Sequence, residues 1–178
     1  MGTPQGPIPE EIYESGKEEY KRFMDKKESK ERLETRLQKN GFRIKDVRGD
    51  GNCQFYSISD QMYGDTTHAD EIRSAAADWL RRNPDKDING APLSCFIYDE
   101  TWDEYCDKVA RNGTWGDHMT LVAIANVYNL KIVIISSVEG DNYTTEVYPD
   151  PPLQGREPPR NITIFHFAER HYGSVVPL

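Results

Sequence analysis

The chain has 178 residues, of which 37% are hydrophobic and 11% aromatic, enough for one domain with a real core and too aromatic for a disordered chain. Thirty acidic residues against 22 basic ones leave a formal charge of -8, which argues against a nucleic-acid groove, and no apolar run approaches the roughly 18 to 20 residues of a membrane span. Cys53, Cys95 and Cys106 are an odd count with no CxxC pair and no zinc-like His spacing; the chain is therefore expected in a reducing cytosol or nucleus, as a monomer, with no disulfide framework, metal or cofactor.

Residues 1 to 8, rich in Gly and Pro, read as a flexible tail. Residues 9 to 40 read as a charged helical segment, one long helix or two shorter ones, with a narrow stripe at Phe23, Met24, Leu33 and Leu37 and a stop at Asn40-Gly41. That pattern fits a solvated helix lying on the domain better than a dedicated binding arm. From residue 41 to 178 the texture changes. FRIKDV alternates as a short strand, RGDGNC is a tight glycine turn, and QFYSISDQMYG resumes at helical spacing through Phe55, Ile58 and Met62.

Thr67-His68-Ala69-Asp70 fits a capping box for a helix with Ile72, Ala75, Ala76, Trp79 and Leu80 on its buried face. Thr101-Trp102-Asp103-Glu104 repeats the device ahead of Trp102, Tyr105, Cys106 and Val109, and Asp117 caps a third helix through Leu121, Ile124, Ala125 and Tyr128. LKIVIIS, residues 130 to 136, is a continuous apolar run of strand length, as for a strand covered on both faces. TTEVYP, NITIFHF and HYGSVVP supply three more strands around a Pro-rich loop, with Ala168-Glu169-Arg170 joining the last two. Helices, one strand, helices, then several strands describe an α+β fold with a mixed or antiparallel central sheet packed between helices.

Cys53 is the most informative position. A thiol directly after a glycine turn, at the first turn of a helix, lies beside unpaired N–H groups and the positive end of the helix dipole, so it is expected to titrate below an ordinary thiol and to act as a nucleophile. Cys106 sits on a buried stripe and Cys95 gives no reason to be other than structural. For a base, His68 belongs to a helix start, and His118 lies in a first helical turn that disfavours protonation, which suits a structural hydrogen bond. His166 and His171 flank the last hairpin, where a strand end can aim an imidazole across a cleft. Spacing does not separate those two.

DVRGDGNCQFYSISDQMYGD resembles the cysteine box of the ovarian tumour (OTU) cysteine proteases, WGDHMTLVAIANVYNLKIVII their central helix and strand, and ITIFHFAERHYGSVVP their final hairpin with its His-Tyr pair. The resemblance implies a papain-like OTU fold over residues 41 to 178, with Cys53 as nucleophile, His171 as general base and Asp50 as the turn residue shaping the oxyanion hole. It implies a deubiquitinase that hydrolyses isopeptide bonds at the C-terminal glycine of ubiquitin or polyubiquitin chains, with Trp115, Gly116 and Tyr172 lining a narrow slot for the glycine tail. A non-catalytic ubiquitin-binding module, or an isopeptidase for another ubiquitin-like modifier, are the alternatives. Gly173 departs from the family, which often has Asn or Asp two residues after the His to hold the imidazole. Another group, such as Asp50, a backbone carbonyl or water, must then orient His171, and Gly173→Asn is expected to preserve or raise activity.

Overall fold

In chain order the computed structural model contains α1 (Glu10–Lys39), β1 (Phe42–Lys45), α2 (Cys53–Tyr63), α3 (Ala69–Arg82), a small hairpin of β2 (Asp87–Ile88) and β3 (Ala91–Pro92), and one 3-10 turn at Leu93–Phe96. It continues with α4 (Trp102–Ala110), α5 (His118–Tyr128), β4 (Leu130–Ser136), β5 (Thr144–Val147), β6 (Arg160–Phe167) and β7 (His171–Pro177). The structure describes residues 9–151, 157–168 and 171–178. The expected tail at 1 to 8, part of the Pro-rich loop and Glu169-Arg170 of the hairpin connection lie outside the described residues.

The principal sheet has the order β1-β7-β6-β4-β5 and is mixed, because β4 and β6 run parallel while the other pairs are antiparallel. On one face, α2 through α5 bury Phe55, Ile58, Ile72, Leu80 and Ile124 against Ile132 and Ile164. On the other, Leu33 and Leu37 of α1 pack on Ile135, Phe165 and Val175. The sheet is thus sandwiched between helices, which is why β4 has no exposed position. In the β6–β7 register Phe167 stands opposite His171 and Phe165 opposite Gly173, so the first residue of β7 is pinned to the last of β6.

Two of the three expected caps form. Thr101 Oγ1 accepts the Glu104 N–H at 3.1 Å, and Asp117 and Thr120 cap each other reciprocally. The third does not: Thr67 bonds Asp65 instead, and α3 begins after His68 with no side-chain cap, because the Asp65 carboxylate offers the threonine a nearer partner in the preceding turn.

The N-terminal segment is one helix of 30 residues, and only Leu33, Arg36 and Leu37 of it are buried. Arg36 donates to the carbonyls of Ser136, Val138 and Gly140 at 2.7, 2.5 and 2.9 Å, and Arg32 to that of Ser137 at 2.8 Å. The C-terminal third of α1 therefore lies on the domain. Phe23 does not join a buried stripe, since it is 64% exposed.

Gly173 overturns the expectation attached to it. A Cβ placed there would lie 2.0 Å from Phe165 Cζ and 2.3 Å from its Cε1, and Phe165 is itself 2% exposed between α1 and the sheet. The glycine is a packing requirement of β6 against β7, and the ring fills the space an Asn side chain would need. Gly173→Asn is accordingly expected to destabilise the protein by about 3 kcal/mol, the upper end of over-packing costs, and to lower activity. Urea unfolding of Gly173→Ala alone and with Phe165→Leu checks the cause: the second change should recover part of the loss, and equal loss in both would contradict it.

Candidate active site

β1 delivers the chain into a loop of residues 46 to 52 whose shape is set by short local bonds. Asp50 Oδ1 accepts the Asn52 N–H at 2.9 Å, the Asp50 carbonyl accepts the Cys53 N–H at 3.1 Å, and Tyr56 OH donates to Asp50 Oδ2 at 3.3 Å. Asp50 thus folds the turn and ties it to the first turn of α2. Gly51 meets the opposite loop so closely that a Cβ would fall 1.6 Å from the Gly113 carbonyl oxygen, a position only glycine can hold.

Arg73 of α3 joins these two loops. Its guanidinium, 3% exposed, donates to the carbonyls of Gly51 (3.1 Å), Thr114 (2.8 Å) and Val109 (2.8 Å) and to Asn52 Oδ1 (2.5 Å), and stacks 4.2 Å above the Phe55 ring. Asn52 adds its own bonds to the Gly113 N–H and to Asn112. Burial pulls the Arg73 pKa below its ordinary value, with Asp70 and Asp50 opposing. Sequence reading missed Arg73, whose only trace there is a charge on the buried face of an amphipathic helix.

Cys53 opens α2 and is 1% exposed. The Tyr172 N–H donates to its Sγ at 3.3 Å, so the strand residue next to His171 touches the thiol. The His171 ring lies beside Gly49, whose ideal Cβ would be 3.8 Å from Nδ1, and 5.9 Å from the Phe165 ring. His171 Nε2 is 2.7 Å from Asp46 Oδ1, which also accepts the Val47 N–H at 2.9 Å. Asp46, just after β1, puts a carboxylate acceptor on the His171 ring where Gly173 has no side chain to do so. It was not among the candidates considered, which named Asp50; the missing acceptor at Gly173 was the signal, and the pairing of β1 with β7 the unseen cause.

Trp115, Gly116 and Tyr172 line one cleft of about 560 Å³ together with Thr114, Asp117, His118 and His166. His166 stacks on Tyr172 with ring centroids 4.6 Å apart, a packed position on the cleft wall. His118 is exposed at its rim. A Cβ on Gly116 would lie 2.3 Å from Gln54 Oε1; buried Gln54 accepts from Thr120 at 2.5 Å and donates to the Asp117 carbonyl at 3.1 Å. The slot wall is thereby anchored to the residue following the thiol.

The thiol's ionisation runs against expectation. Burial pushes the Cys53 pKa up; the N–H groups of Tyr172 and Gln54 pull it back, and the Asp50 carboxylate adds to the rise. Desolvation outweighs the opposing donors, so the Cys53 pKa stands above that of an ordinary thiol. Among the described residues no cluster of three or more His, Cys, Asp or Glu side chains is arranged to hold a metal.

The family model described as OTU-like cysteine protease matches residues 48–170, a span that includes Asp50 and Cys53 and stops one residue before His171. The chain is 33% identical over 147 residues to OVARIAN TUMOR DOMAIN-containing deubiquitinating enzyme 9 of Arabidopsis thaliana, covering 83% of this chain and 39% of that protein. It is 29% identical over 140 residues to OTU domain-containing protein 5 of Homo sapiens, covering 78% of this chain and 23% of that protein. The chain therefore spans well under half the length of these relatives. Among solved structures, the OTUD1 OTU domain superposes with a TM-score of 0.71 at 19% identity over 87% of this chain and 99% of that one. An Ovarian Tumor (OTU) domain in complex with ubiquitin gives 0.58 at 17% identity over 76% and 69%. These likenesses establish the α+β fold.

Two measurements follow from the geometry. Iodoacetamide alkylation of Cys53 should keep accelerating above the pH at which a free thiol has ionised, because burial favours the neutral form up to a higher pH; a profile at or below that of free cysteine would contradict this. Arg73→Met should cost about 3 kcal/mol in urea unfolding, since it removes one side of a buried charge network and leaves several carbonyls without donors. A loss under about 0.5 kcal/mol, the scale of an ordinary surface change, would show that the clamp does not hold the loops.

Proposed function

The chain belongs to the OTU-like cysteine protease family, and from that premise we propose that it is a thiol isopeptidase that releases ubiquitin from lysine side chains. The reading rests on one observation above others: His171, held by Asp46 at 2.7 Å, directly precedes Tyr172, whose N–H lies on the Cys53 sulfur at 3.3 Å. A nucleophile, a base and a group that orients the base are thus assembled from three separate elements.

Asp46 Oδ1 accepts a hydrogen bond from His171 Nε2–H, which leaves Nδ1 as the nitrogen that can take a proton. Nδ1 removes the Cys53 thiol proton as Sγ attacks the carbonyl carbon of the modifier's terminal glycine. A thiol with a raised pKa makes this proton transfer part of the attack. The amides of Cys53 and Asn52 are already bonded to Asp50, so the developing oxyanion falls to the remaining amides of the turn, those of Asp50 and Gly51. Asp50 shapes that turn. His171 then returns the proton to the departing lysine nitrogen, a thioester forms on Cys53, and a water deprotonated by His171 hydrolyses it.

The substrate class follows from the cleft. Cys53 is closed to solvent, the wall by Gly116 leaves no room for a side chain of its own, and Trp115 and Tyr172 line the same cleft, which suits a tail of glycines more than any bulky residue. The net charge of -8 favours a modifier with a basic C-terminal tail. The three cysteines are free, which supports the cytosol or nucleus as the site of action.

A ubiquitin probe with a thiol-reactive C-terminal warhead should form an adduct with the wild-type chain and none with Cys53→Ala; no adduct with wild type would sink the isopeptidase reading. On a fluorogenic ubiquitin C-terminal substrate, His171→Ala should lower turnover by about a hundredfold or more. Asp46→Ala should lower kcat by about tenfold with little change in KM, a smaller effect than for a sealed triad acid because Asp46 stands in solvent. An Asp46→Ala enzyme with wild-type kcat would remove Asp46 from the mechanism.

A further inference from the structure

The first two-thirds of α1 has no part in the mechanism above. Between Glu10 and Glu28 the helix has no buried residue, yet Ile12, Tyr13, Tyr20 and Phe23 are large apolar side chains that are 54 to 65% exposed. At about 100° per residue these four and Gly16 fall within about 100° of arc, a stripe centred about a third of a turn from the face that sets Leu33, Arg36 and Leu37 on the sheet. The protein's own core cannot cover it. A contiguous apolar stripe on a helix that extends beyond its domain marks an interface.

We propose that this stripe pairs antiparallel with the same stripe of a second copy of the chain, about a centre near Glu18. Three independent features select that occupant and that direction. The first is charge: Glu10 to Glu19 holds five acidic residues and one basic one, while Tyr20 to Lys30 holds five basic residues and two acidic. Antiparallel helices set each negative segment against a positive one, and parallel helices would stack like charges.

The second is length. Centring the pair near residue 18 brings Glu10 of one copy level with Lys26 of the other, just short of Arg32, whose bond to the Ser137 carbonyl ties the helix to the domain. Residues 10 to 26 of each copy are thus matched over about 25 Å, at 1.5 Å per residue, without collision between domains. The third is shape. The same register places Gly16 opposite Tyr20, Tyr13 opposite Phe23 and Ile12 opposite Met24. Gly16, with nothing within 4 Å of its ideal Cβ, leaves the hollow that a phenol ring needs where helix axes approach to about 8 to 10 Å. The monomer expected from sequence is in this view the dilute form of a reversible dimer.

Sedimentation equilibrium of the 178-residue chain over about a hundredfold range of concentration tests the pairing. The mean mass should climb from one chain toward two, more steeply at low salt. Tyr20→Glu combined with Phe23→Glu should weaken association at least about tenfold without altering thermal unfolding, since both positions are exposed. For direction, a Gly16→Cys chain is mixed with a Tyr20→Cys chain, both in a Cys53→Ala, Cys95→Ser background, under mild oxidation. The mixed disulfide should predominate over the two homodimers. A single-chain mass at every concentration would overturn the proposal, and so would dominance of the homodimers, which means parallel pairing. If instead the Tyr20→Glu, Phe23→Glu change left a monomeric protein monomeric and abolished ubiquitin binding, the stripe would belong to the substrate.

Discussion

A guanidinium taken out of water is costly unless oxygens replace its lost hydration, and Arg73 finds its four oxygens only if two distant loops stand where they do. Its acceptors are Gly51 and Asn52 on one side of the cleft and Val109 and Thr114 on the other. Satisfying one charge therefore fixes the turn before the thiol relative to the segment that carries Trp115 and Gly116. The bare Gly51 makes the approach physically possible, since any Cβ would collide with the Gly113 carbonyl. Gln54, braced on Thr120 and Asp117, holds the same gap from within.

The other half of the site hangs on the sheet. Asp60 of α2 accepts Ser174 Oγ at 2.5 Å and Lys45 Nζ at 2.6 Å, and Gln61 reaches Ser174 and Val175. These bonds lock the helix that starts with Cys53 to β1, which leads into Asp46, and to its neighbour β7, which begins with His171. Because β1 pairs with β7, the acid at the end of one strand arrives beside the imidazole at the start of the other. Phe165 fills the alternative position at Gly173. The acid bonded to the imidazole thus comes from 125 residues upstream in sequence, while the core keeps an aromatic ring where the acid would otherwise sit.

A covered thiol with a raised pKa is the cost of so closed a site. Helix dipole and amide donors favour the thiolate, but burial removes the water that would solvate it, and burial prevails. For the proposed reaction this moves ionisation from the resting state to the moment of attack and makes the placement of His171 more important than the acidity of Cys53. It also spares the sulfur from adventitious reaction, because reactivity depends on the thiolate.

What was legible in the sequence was what local chemistry decides. Periodicity and caps placed α4, α5 and β4, because amphipathic spacing and an Asp or Thr at the right offset act over a few residues. The glycine turn before Cys53 singled out the proposed nucleophile for the same reason, and the family motifs pointed to His171 as its proposed base. All but one of the failures involve groups brought together from afar. The Thr67 cap was lost to Asp65, which shares its turn; the Gly173 gap was filled by Phe165 across a strand pair; the thiol's pKa was set by burial, which no local motif encodes. Asp46 and Arg73 were invisible because each acts on partners many residues away, and only the pairing of β1 with β7 and the packing of α3 under two loops bring those groups within hydrogen-bond distance.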